Sequence, residues 1–450
     1  MSKYIVLKFG GSSQCKEGLN VILNKIKEYR EQSYKIILVV SAVGKTTNNL
    51  YGIADFELDK YDTIYNSHRD LCRNVNVRFE CIHELLSNLC TDMRKYNNEP
   101  FCDQTQQKLK MISYGEFLSS TIVHNFLCMN GIQNKLINAH HFIKNKSSSV
   151  CIDHDTLNTK GTFYCDETVL NKLIEIGDVF ITQGFIATTS DNKLCVLTRS
   201  GSNTTGALIA ATVDSQRLEI WSDTNGLCTA DPRKVKNAKL VPYIGYSVAQ
   251  EVAAAGSQII HPFSIVPCQK KHIPIHMKNT FNESGPSTII NGKDRTDNNV
   301  HVITCKENVN VIQIILLDMW EGYGFLSEIF KSFTTQKITI DIVSTSQFSI
   351  SVTTSEKSEK KLERVINELC EKYEVNLIKN CASISVIADN ISHNKTIQMC
   401  HQYVNEINSE PIYITDFACN NMSISYVVNM SYCDTLLNIL HKELIEKTTV

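Results

Sequence analysis

Apolar residues in the first half of the chain follow two patterns, one typical of strands and one typical of helices. Residues 4–7 and 35–40 form short continuous apolar runs, which predict strands of a parallel sheet covered on both faces. Residues 16–32 repeat apolar positions at helical spacing and predict an amphipathic helix. Residues 50–125 contain almost no strand pattern and predict several helices. Together these patterns predict an α/β fold, a mainly parallel sheet between helices, with a helical sub-lobe at about 50–125.

The alternation of strands and helices continues to the end of the first half and then breaks. The Ala-rich stretch 203–213 predicts a helix, with Asn203 as its N-cap. Residues 282–299 are polar and contain Gly and Pro, so they predict a linker. Three further elements are predicted, a strand and turn at 178–184, a helix at 247–256 and a strand at 273–279.

The second half repeats the order βαββα twice, which indicates an internal duplication of about 70 residues. The first copy comprises strands 309–317, 338–345 and 348–353 and helices 324–334 and 359–373. The second copy comprises strands 382–387, 412–417 and 422–428 and helices 395–408 and 434–446. Two small sheet-and-helix modules behind an α/β domain suggest a regulatory role.

Composition excludes several classes of function. The 450 residues are 42% hydrophobic with a formal net charge of −2, so there is no electrostatic case for nucleic acid or an anionic membrane. No segment approaches the roughly 20 apolar residues that span a bilayer. The N-terminus lacks a signal-peptide pattern, and the 17 cysteines show no CxxC pair. We therefore expect a cytoplasmic protein with free thiols and no metal-binding cysteine cluster.

Two spaced segments carry the candidate chemistry. Lys8-Phe-Gly-Gly-Ser-Ser13 follows a predicted strand and precedes a helix, where glycines and free N–H groups can hold phosphate. Trp221-Ser-Asp-Thr-Asn-Gly-Leu-Cys-Thr-Ala-Asp-Pro-Arg233 follows a second buried strand. In an open α/β sheet, ligands bind at such strand ends. The two segments together indicate a phosphotransfer enzyme.

A series of short motifs, in this order along the chain, resembles the aspartate kinases, which have an amino-acid kinase fold and tandem ACT domains. The resemblance implies a catalytic domain over residues 1–295 and ACT domains over 300–375 and 378–450, the latter two ferredoxin-like. The motifs are Lys8-Phe-Gly-Gly11, Ser41-Ala-Val-Gly-Lys-Thr-Thr-Asn48, Ser113-Tyr-Gly-Glu116, Gly184-Phe185, Arg199-Ser-Gly-Ser-Asn203, Trp221-Ser-Asp223, Ala230-Asp-Pro-Arg233, Ile260-His-Pro262, Met277-Lys-Asn-Thr280, Gly324-Phe-Leu326, Ile340-Asp-Ile342 and Ser344-Thr-Ser346.

The resemblance implies transfer of the γ-phosphoryl group of ATP to the side-chain carboxylate of L-aspartate, with Mg²⁺ bound mainly through phosphate oxygens. This reaction begins the pathway to lysine, threonine, methionine and diaminopimelate. An amino-acid effector, lysine or threonine, is implied at the ACT domains. ACT domains commonly pair edge to edge, so a homodimer or a dimer of dimers is implied as well.

Site residues are carried over from the resemblance, position by position. Lys8 and Asn203 are the catalytic candidates, with Gly10, Gly11 and Ser12 supplying backbone donors to phosphate. The substrate candidates are Thr47, Glu116 for the ammonium, Arg199 for the α-carboxylate, and Ser202. The other nucleotide candidates are Ser222, Asp223, Cys228, Arg233 and Gln258. The effector candidates are Met319, Phe325, Leu326, Ile340, Asp341, Ser346 and Gln347.

Of the positions that depart from the family pattern, three bear most on catalysis and regulation. Asn203 replaces an aspartate that orients the catalytic lysine, so the Lys8 ammonium lacks a charged partner there. Ser200 replaces a glycine and adds bulk beside the substrate, and Gln347 replaces a glutamate of the effector pocket. The neutral Gln347 predicts weakened or altered feedback by lysine.

Two alternatives to an active aspartate kinase stay open. Ser200 and Asn203 are consistent with a kinase that has drifted to another small amino acid or carboxylate. Asn203 is also consistent with a catalytically weak paralogue that binds amino acids as a regulator. Glu116 and Arg199 argue that an α-amino acid is still recognised, while Lys8 and Asp223 argue for turnover.

Overall fold

The computed structural model describes residues 3–54, 57–98, 104–146, 151–152, 159–198, 200–257, 259–292, 300–315, 323–391, 396–407 and 411–447. The chain forms two compact units. The N-terminal unit comprises Met1–Leu227, Pro242–Tyr246 and Ile259–Lys293, and the C-terminal unit comprises Cys228–Val241, Ser247–Gln258 and Asp294–Val450. No helix within the described ranges is long and apolar enough to cross a membrane.

The elements from residue 3 to residue 291 include both strands and helices. The strands are β1 Lys3–Phe9, β2 Tyr34–Val40, β3 Lys135–Ile137, β4 Ile143–Asn145, β5 Cys151–Ile152, β6 Thr159–Lys160, β7 Phe163–Cys165, β8 Val179–Gln183, β9 Ile186–Thr189, β10 Leu194–Val196, β11 Leu218–Ser222, β12 Tyr243–Gly245, β13 Ile275–Asn279 and β14 Thr288–Asn291. The helices are α1 Lys16–Glu31, α2 Thr46–Ala54, α3 Lys60–Asn74, α4 His83–Asn98, α5 Gln104–Met129, α6 Glu167–Leu173, α7 Gly201–Thr212, α8 Tyr246–Ala254 and α9 Val266–Lys270.

An eight-stranded sheet forms the centre of the N-terminal unit, in the order β12-β14-β13-β11-β1-β2-β8-β3. The pairs from β13 through β3 are all parallel, whereas β13 and β14 are antiparallel. Residues 36–40 of β2 are fully buried, as a strand covered on both faces requires. The predicted parallel sheet is confirmed, and the carboxyl ends of β1, β2, β8 and β11 meet at one edge.

The helical sub-lobe is present as α2 to α5, and the amphipathic helix at 16–32 is present as α1. The prediction of a linker over 282–299 is wrong in part, because Thr288–Asn291 is a strand that pairs with Ile275–Asn279. Its four residues follow a run of Gly, Pro and Ser, so the turn composition around them conceals the strand.

Helix α7 begins two residues earlier than predicted. Its N-cap is Ser200, which has a left-handed backbone conformation with φ 60°, and Asn203 lies in the first turn. The prediction of Asn203 as N-cap is therefore wrong. Because the Cβ of serine is strained at positive φ, a glycine would suit this position better.

Replacing Ser200 by Gly should stabilise the protein by about 0.5–1 kcal/mol, because glycine adopts positive φ without the steric cost of a Cβ. The measurement is the midpoint of urea unfolding. Ser33→Gly is the matched control, since Ser33 has φ 62° in the turn after α1 and lies outside the candidate site. A loss of stability in Ser200→Gly, with a gain in Ser33→Gly, would contradict the backbone explanation.

One antiparallel sheet runs through the C-terminal unit in the order β16-β17-β15-β18-β20-β19. Its strands are β15 Val300–Ile315, β16 Val343–Thr345, β17 Ser349–Thr354, β18 Glu374–Ala388, β19 Ile414–Phe417 and β20 Ser423–Asn429. The helices are α10 Phe325–Thr335, α11 Glu359–Cys370, α12 Thr396–Ile407 and α13 Cys433–His441, and a π-helix over Lys442–Glu446 follows α13.

Strands β15 and β18 are much longer than predicted. The first half of β15 pairs with residues 383–388 of β18, and its second half pairs with residues 374–378. The pairing register shifts around residue 308, where Asn308 has φ 56°, and Asn380 of β18 has φ 57°. These polar breaks resemble loops in the sequence, but the strands absorb them as bulges. The sheet is therefore continuous across both predicted ACT domains, whose boundaries stay a prediction.

Two other expectations differ from the structure. The predicted strand 338–345 is limited to Val343–Thr345. Cys305 of β15 and Cys433 of α13 are disulfide-bonded, so the expectation of free thiols is wrong for this pair. It holds for the other 13 cysteines whose side chains the structure describes.

Candidate active site

Lys8 lies near the carboxyl end of β1, in the middle of the sheet, and its side chain is buried. Burial lowers the pKa of its ammonium group from the ordinary 10.5 to about 8. Among the described residues, no carboxylate stabilises the charge of this dehydrated ammonium group. An anion such as a phosphate group would supply the missing counter-charge.

The loop after β1 is held close to the loop after β2. Gly10 donates its N–H to the carbonyl of Trp221 at 2.9 Å, so this donor is already used. Gly44 donates to the carbonyl of Gly11 at 2.9 Å, and a Cβ at Gly11 would lie 2.9 Å from the Gly44 carbonyl oxygen. Within the described part of the chain, the N–H groups of Gly11 and Ser12 have no acceptor. Of the three backbone donors predicted for phosphate, Gly10 is therefore excluded, and Gly11 and Ser12 remain candidates.

Glu116 lies on α5 and is buried against the loop after β2. The backbone N–H of Ala42 donates to its carboxylate, and a Cβ at Gly115 would lie 2.9 Å from the Ala42 Cβ. The other carboxylate oxygen, Oε2, has no hydrogen-bond partner among the described residues. Burial raises the pKa of Glu116 to about 8. A buried carboxylate with one unpaired oxygen is suited to accept an ammonium group.

One face of α7 packs against Lys8. A Cβ at Gly206 would lie 3.5 Å from the Lys8 Cβ, and Asn203 lies one turn earlier on the same face. Asn203 is buried, and its Oδ1 has no hydrogen-bond partner in the described part of the chain. Ser202 is buried against Gly184, at the end of β8, where a Cβ would overlap the serine side chain. Lys8, Asn203 and Ser202 therefore lie at neighbouring strand ends.

Two buried hydroxyl groups near these residues were not predicted. Ser119 lies one turn after Glu116 on α5, and Thr182 is the fourth residue of β8. Neither hydroxyl has a hydrogen-bond partner among the described residues. Their sequence signal is weak, because each is a small polar residue next to other polar residues, and nothing in the local sequence distinguishes it from them. Thr47, a predicted substrate residue, is half-buried in the first turn of α2.

The predicted nucleotide residues divide between the two units. Ser222 ends β11 in the N-terminal unit, and Asp223 follows it with an exposed side chain. Cys228 and Arg233 belong to the C-terminal unit. Arg233 forms an ion pair with Asp231 at 2.7 Å and is otherwise exposed.

Glu219, within β11, is a second buried carboxylate, and it was not predicted from the sequence. Glu219 accepts hydrogen bonds from the hydroxyl of Tyr29 at 2.8 Å and from the indole N–H of Trp221 at 3.0 Å. Burial raises the pKa of Glu219, but the positive charges of Lys278 and Arg217 outweigh it, and the net pKa is lowered. This network fixes the strand that ends at the predicted nucleotide residues.

Comparison with known proteins identifies the family of this chain. The model of the Amino acid kinase family matches residues 3–279, more than half of the chain. The chain belongs to the amino acid kinase family. It is 27% identical to "Aspartokinase 1, chloroplastic" of Arabidopsis thaliana, an alignment that covers 98% of this chain and 80% of that protein. It is 23% identical to "Lysine-sensitive aspartokinase 3" of Escherichia coli, with 99% and 100% covered.

Among solved structures, this amino acid kinase is similar to E. coli aspartokinase III in complex with aspartate and ADP. The TM-score is 0.83 at 21% identity, and the match covers 98% of this chain and 100% of the other. At this level of identity, the similarity shows the fold. The family resemblance and the α/β fold class predicted from the motifs are confirmed.

Several predicted residues of this family member stay untested. Arg199, Gln258 and Met319 lie outside the described residues. Phe325 and Leu326 begin α10, where Phe325 is half-buried and Leu326 is exposed.

The remaining predicted effector residues lie around the edge strand β16. Ile340 is half-buried, and the carboxylate of Asp341 accepts a hydrogen bond from Lys306 at 2.8 Å. Ser346 and Gln347 are exposed in the turn between β16 and β17. The structure therefore leaves Ser346 and Gln347 accessible, while Asp341 is already paired within the unit.

Within the described residues, one group of three side chains is close enough to share a metal ion, namely Glu307, Cys433 and Asp434. The ammonium of Lys234 pairs with both of these carboxylates, and Cys433 is bonded to Cys305. This donor set does not fit a metal ion, because the sulfur of Cys433 is held in a disulfide and both carboxylates already pair with Lys234.

The titration of Glu116 gives a stability prediction. Its pKa in the folded state, about 8, lies above the ordinary 4.5. The folded protein therefore holds a proton that the unfolded chain has released, and stability falls as pH rises from 4.5 through 8. Glu116→Gln removes this titration, so the variant should gain stability relative to the wild type as pH rises, by roughly 3 kcal/mol between pH 6 and pH 9.

The measurement is the melting temperature of both proteins between pH 6 and pH 9. Glu31→Gln is the control, because Glu31 ends α1 with an exposed side chain. The wild-type and Glu116→Gln curves should diverge with rising pH, while Glu31→Gln follows the wild type. Parallel curves for Glu116→Gln would contradict the burial of an ionisable carboxylate.

Proposed function

We propose that this member of the amino acid kinase family transfers the γ-phosphoryl group of ATP to the side-chain carboxylate of L-aspartate. One observation carries the proposal, namely that Lys8 and Glu116 are both buried, oppositely charged when ionised, and unpaired with each other at one edge of the sheet. The lysine suits a phosphate group and the glutamate suits an α-ammonium group. Full-length similarity to proteins named aspartokinases supports the same substrate.

The chemistry needs no general base, because the attacking carboxylate is already ionised. Rate acceleration then depends on placing two anions in line and neutralising the charge that moves between them. Lys8 supplies a positive charge, and the N–H groups of Gly11 and Ser12 supply hydrogen bonds beside it. Arg199 is proposed to bind the α-carboxylate of the substrate, since its planar guanidinium pairs with carboxylates through two hydrogen bonds.

ATP and Mg²⁺ are part of the proposal. Ser222, Asp223, Cys228 and Arg233 are proposed to contact the nucleotide. Mg²⁺ would be held mainly by phosphate oxygens, which fits the scarcity of acidic side chains around Lys8, and would help to neutralise the phosphate charge. Cytoplasmic location also belongs to this proposal.

Regulation is proposed through the C-terminal unit, with an amino acid bound near Asp341, Ser346 and Gln347. Strand β16 is an edge strand with exposed Val343, and Phe348 in the following turn is exposed as well. An exposed apolar edge favours pairing with a second copy, so we include a homodimer.

A substrate panel tests the proposed reaction. Purified protein with ATP and Mg²⁺ is given L-aspartate, L-glutamate or succinate, and acyl phosphate is trapped as hydroxamate. Aspartate should react, whereas succinate, which lacks the ammonium group that Glu116 would bind, should react at least about a hundredfold more slowly. Preference for another acid would favour the drifted kinase. No turnover, with aspartate still raising the melting temperature, would favour the binding regulator.

A further inference from the structure

The segment Cys228–Val241 begins five residues after Asp223 and carries Arg233, yet it packs inside the C-terminal unit. Ala230 and Val235 belong to the same hydrophobic core as α13 and β20. The chain that leaves the proposed nucleotide strand therefore enters the core of the second predicted ACT domain.

Thr229 connects this segment to the end of α13. Lys239 donates its backbone N–H to the Thr229 Oγ1 at 2.9 Å, and the Thr229 Oγ1 lies 2.8 Å from the Nε2 of His441. The Nδ1 of His441 lies 3.0 Å from the Oε1 of Glu446. With a neutral imidazole, the network assigns the proton to Nδ1, which donates to Glu446, while Nε2 accepts from the Thr229 hydroxyl. His441 is fully buried, so water does not compete for these two hydrogen bonds.

Four further contacts hold the same segment. The ammonium of Lys234 pairs with Asp434 of α13 at 2.8 Å and with Glu307 of β15. Asn438 donates to the carbonyl of Lys234 at 3.2 Å. Asn237 donates to Glu446 at 3.2 Å. Both ends of α13 therefore contact the segment, along with the π-helix that follows.

We infer that Thr229 and His441 are positioning residues for the nucleotide: through them, the second predicted ACT domain holds the segment that carries Cys228 and Arg233. The inference deepens the proposed function and rests on it for the identity of the ligand.

The test compares two isosteric variants of buried threonines in the C-terminal unit. Thr229→Val removes the hydroxyl that links Lys239 to His441. Thr354→Val is the matched control, because the Thr354 hydroxyl likewise donates one hydrogen bond, to the carbonyl of Thr339 at 2.7 Å, and accepts one from a backbone N–H, that of Glu356. Thr354 lies in the other half of the sheet, and among the described residues its hydroxyl forms no hydrogen bond with the segment. The readouts are the Kd for ADP by calorimetry, and KM for ATP and for aspartate.

Thr229→Val should raise the Kd for ADP and the KM for ATP about five- to tenfold, with kcat at saturating ATP and KM for aspartate nearly unchanged. Thr354→Val should lose melting temperature but keep the wild-type Kd for ADP. Equal changes in ADP affinity in both variants, or none in Thr229→Val, would overturn the inference.

Asp434→Asn serves if Thr229→Val does not fold, because the side chain of Asp434 is largely exposed. It should raise the Kd for ADP about two- to threefold, and an unchanged Kd would overturn the inference. ADP binding does not require turnover. A wild-type protein that binds ADP but does not phosphorylate aspartate would therefore contradict the proposed function and leave this test intact.

Discussion

Lys8→Met should lower kcat with aspartate at least about a hundredfold, and up to about a thousandfold. The reason is that Lys8 is a buried ammonium group without a carboxylate partner among the described residues, placed beside the loop that would hold phosphate. Its charge is available for the transferring phosphoryl group. Methionine has a similar length and no charge, so the variant removes the electrostatic contribution with little change in packing.

Lys3→Met is the control for this experiment. Lys3 lies on the same strand with an exposed side chain, so its replacement should leave kcat within about twofold. Both variants are measured by steady-state kinetics, with the melting temperature recorded for each. A Lys8→Met protein that is folded and retains more than about a tenth of the wild-type kcat would contradict the assigned role.

Asn203→Asp should raise kcat by a factor of ten to a hundred, roughly the contribution of one charged hydrogen bond of 2–3 kcal/mol. Asn203 is buried in the first turn of α7, on the face towards Lys8, and its Oδ1 has no partner among the described residues. A carboxylate there would pair with the Lys8 ammonium, and the helix N-terminus would stabilise the new negative charge.

The pH profile provides the more specific measurement. The pKa of Lys8, about 8, lies below the ordinary 10.5, so the free protein loses this charge as pH rises through 8. Activity should fall along the same alkaline limb, and Asn203→Asp should move the limb upward by at least about one pH unit. In a Lys8→Met background the gain in kcat should disappear. An alkaline limb that stays in place would refute the proposed pairing.

Patterns that repeat locally were predicted well. The apolar runs of β1 and β2, the helical spacing of α1 and the strand-free stretch of α2 to α5 each follow from the local sequence. The glycine pair after β1 and the order of the motifs were sufficient to predict the family. Lys8 and Glu116 were singled out for the same reason, because each belongs to a short motif.

Features that depend on distant pairing were not predicted. The bulges at Asn308 and Asn380 resemble loops until the partner strand is known, and each strand was therefore predicted too short. The N-cap of α7 depends on the backbone angle of Ser200, which composition does not reveal. The contact between Thr229 and His441 spans 212 residues of sequence, and no local pattern connects the two residues.

The most direct test of the account is ³¹P NMR of the wild-type protein with ATP, Mg²⁺ and L-aspartate. An acyl-phosphate resonance should grow in step with ADP, should require aspartate, and should be absent with Lys8→Met. ADP formation with inorganic phosphate as the sole new product, or no consumption of ATP in the presence of aspartate, would contradict the assignment of this chain as an aspartate kinase.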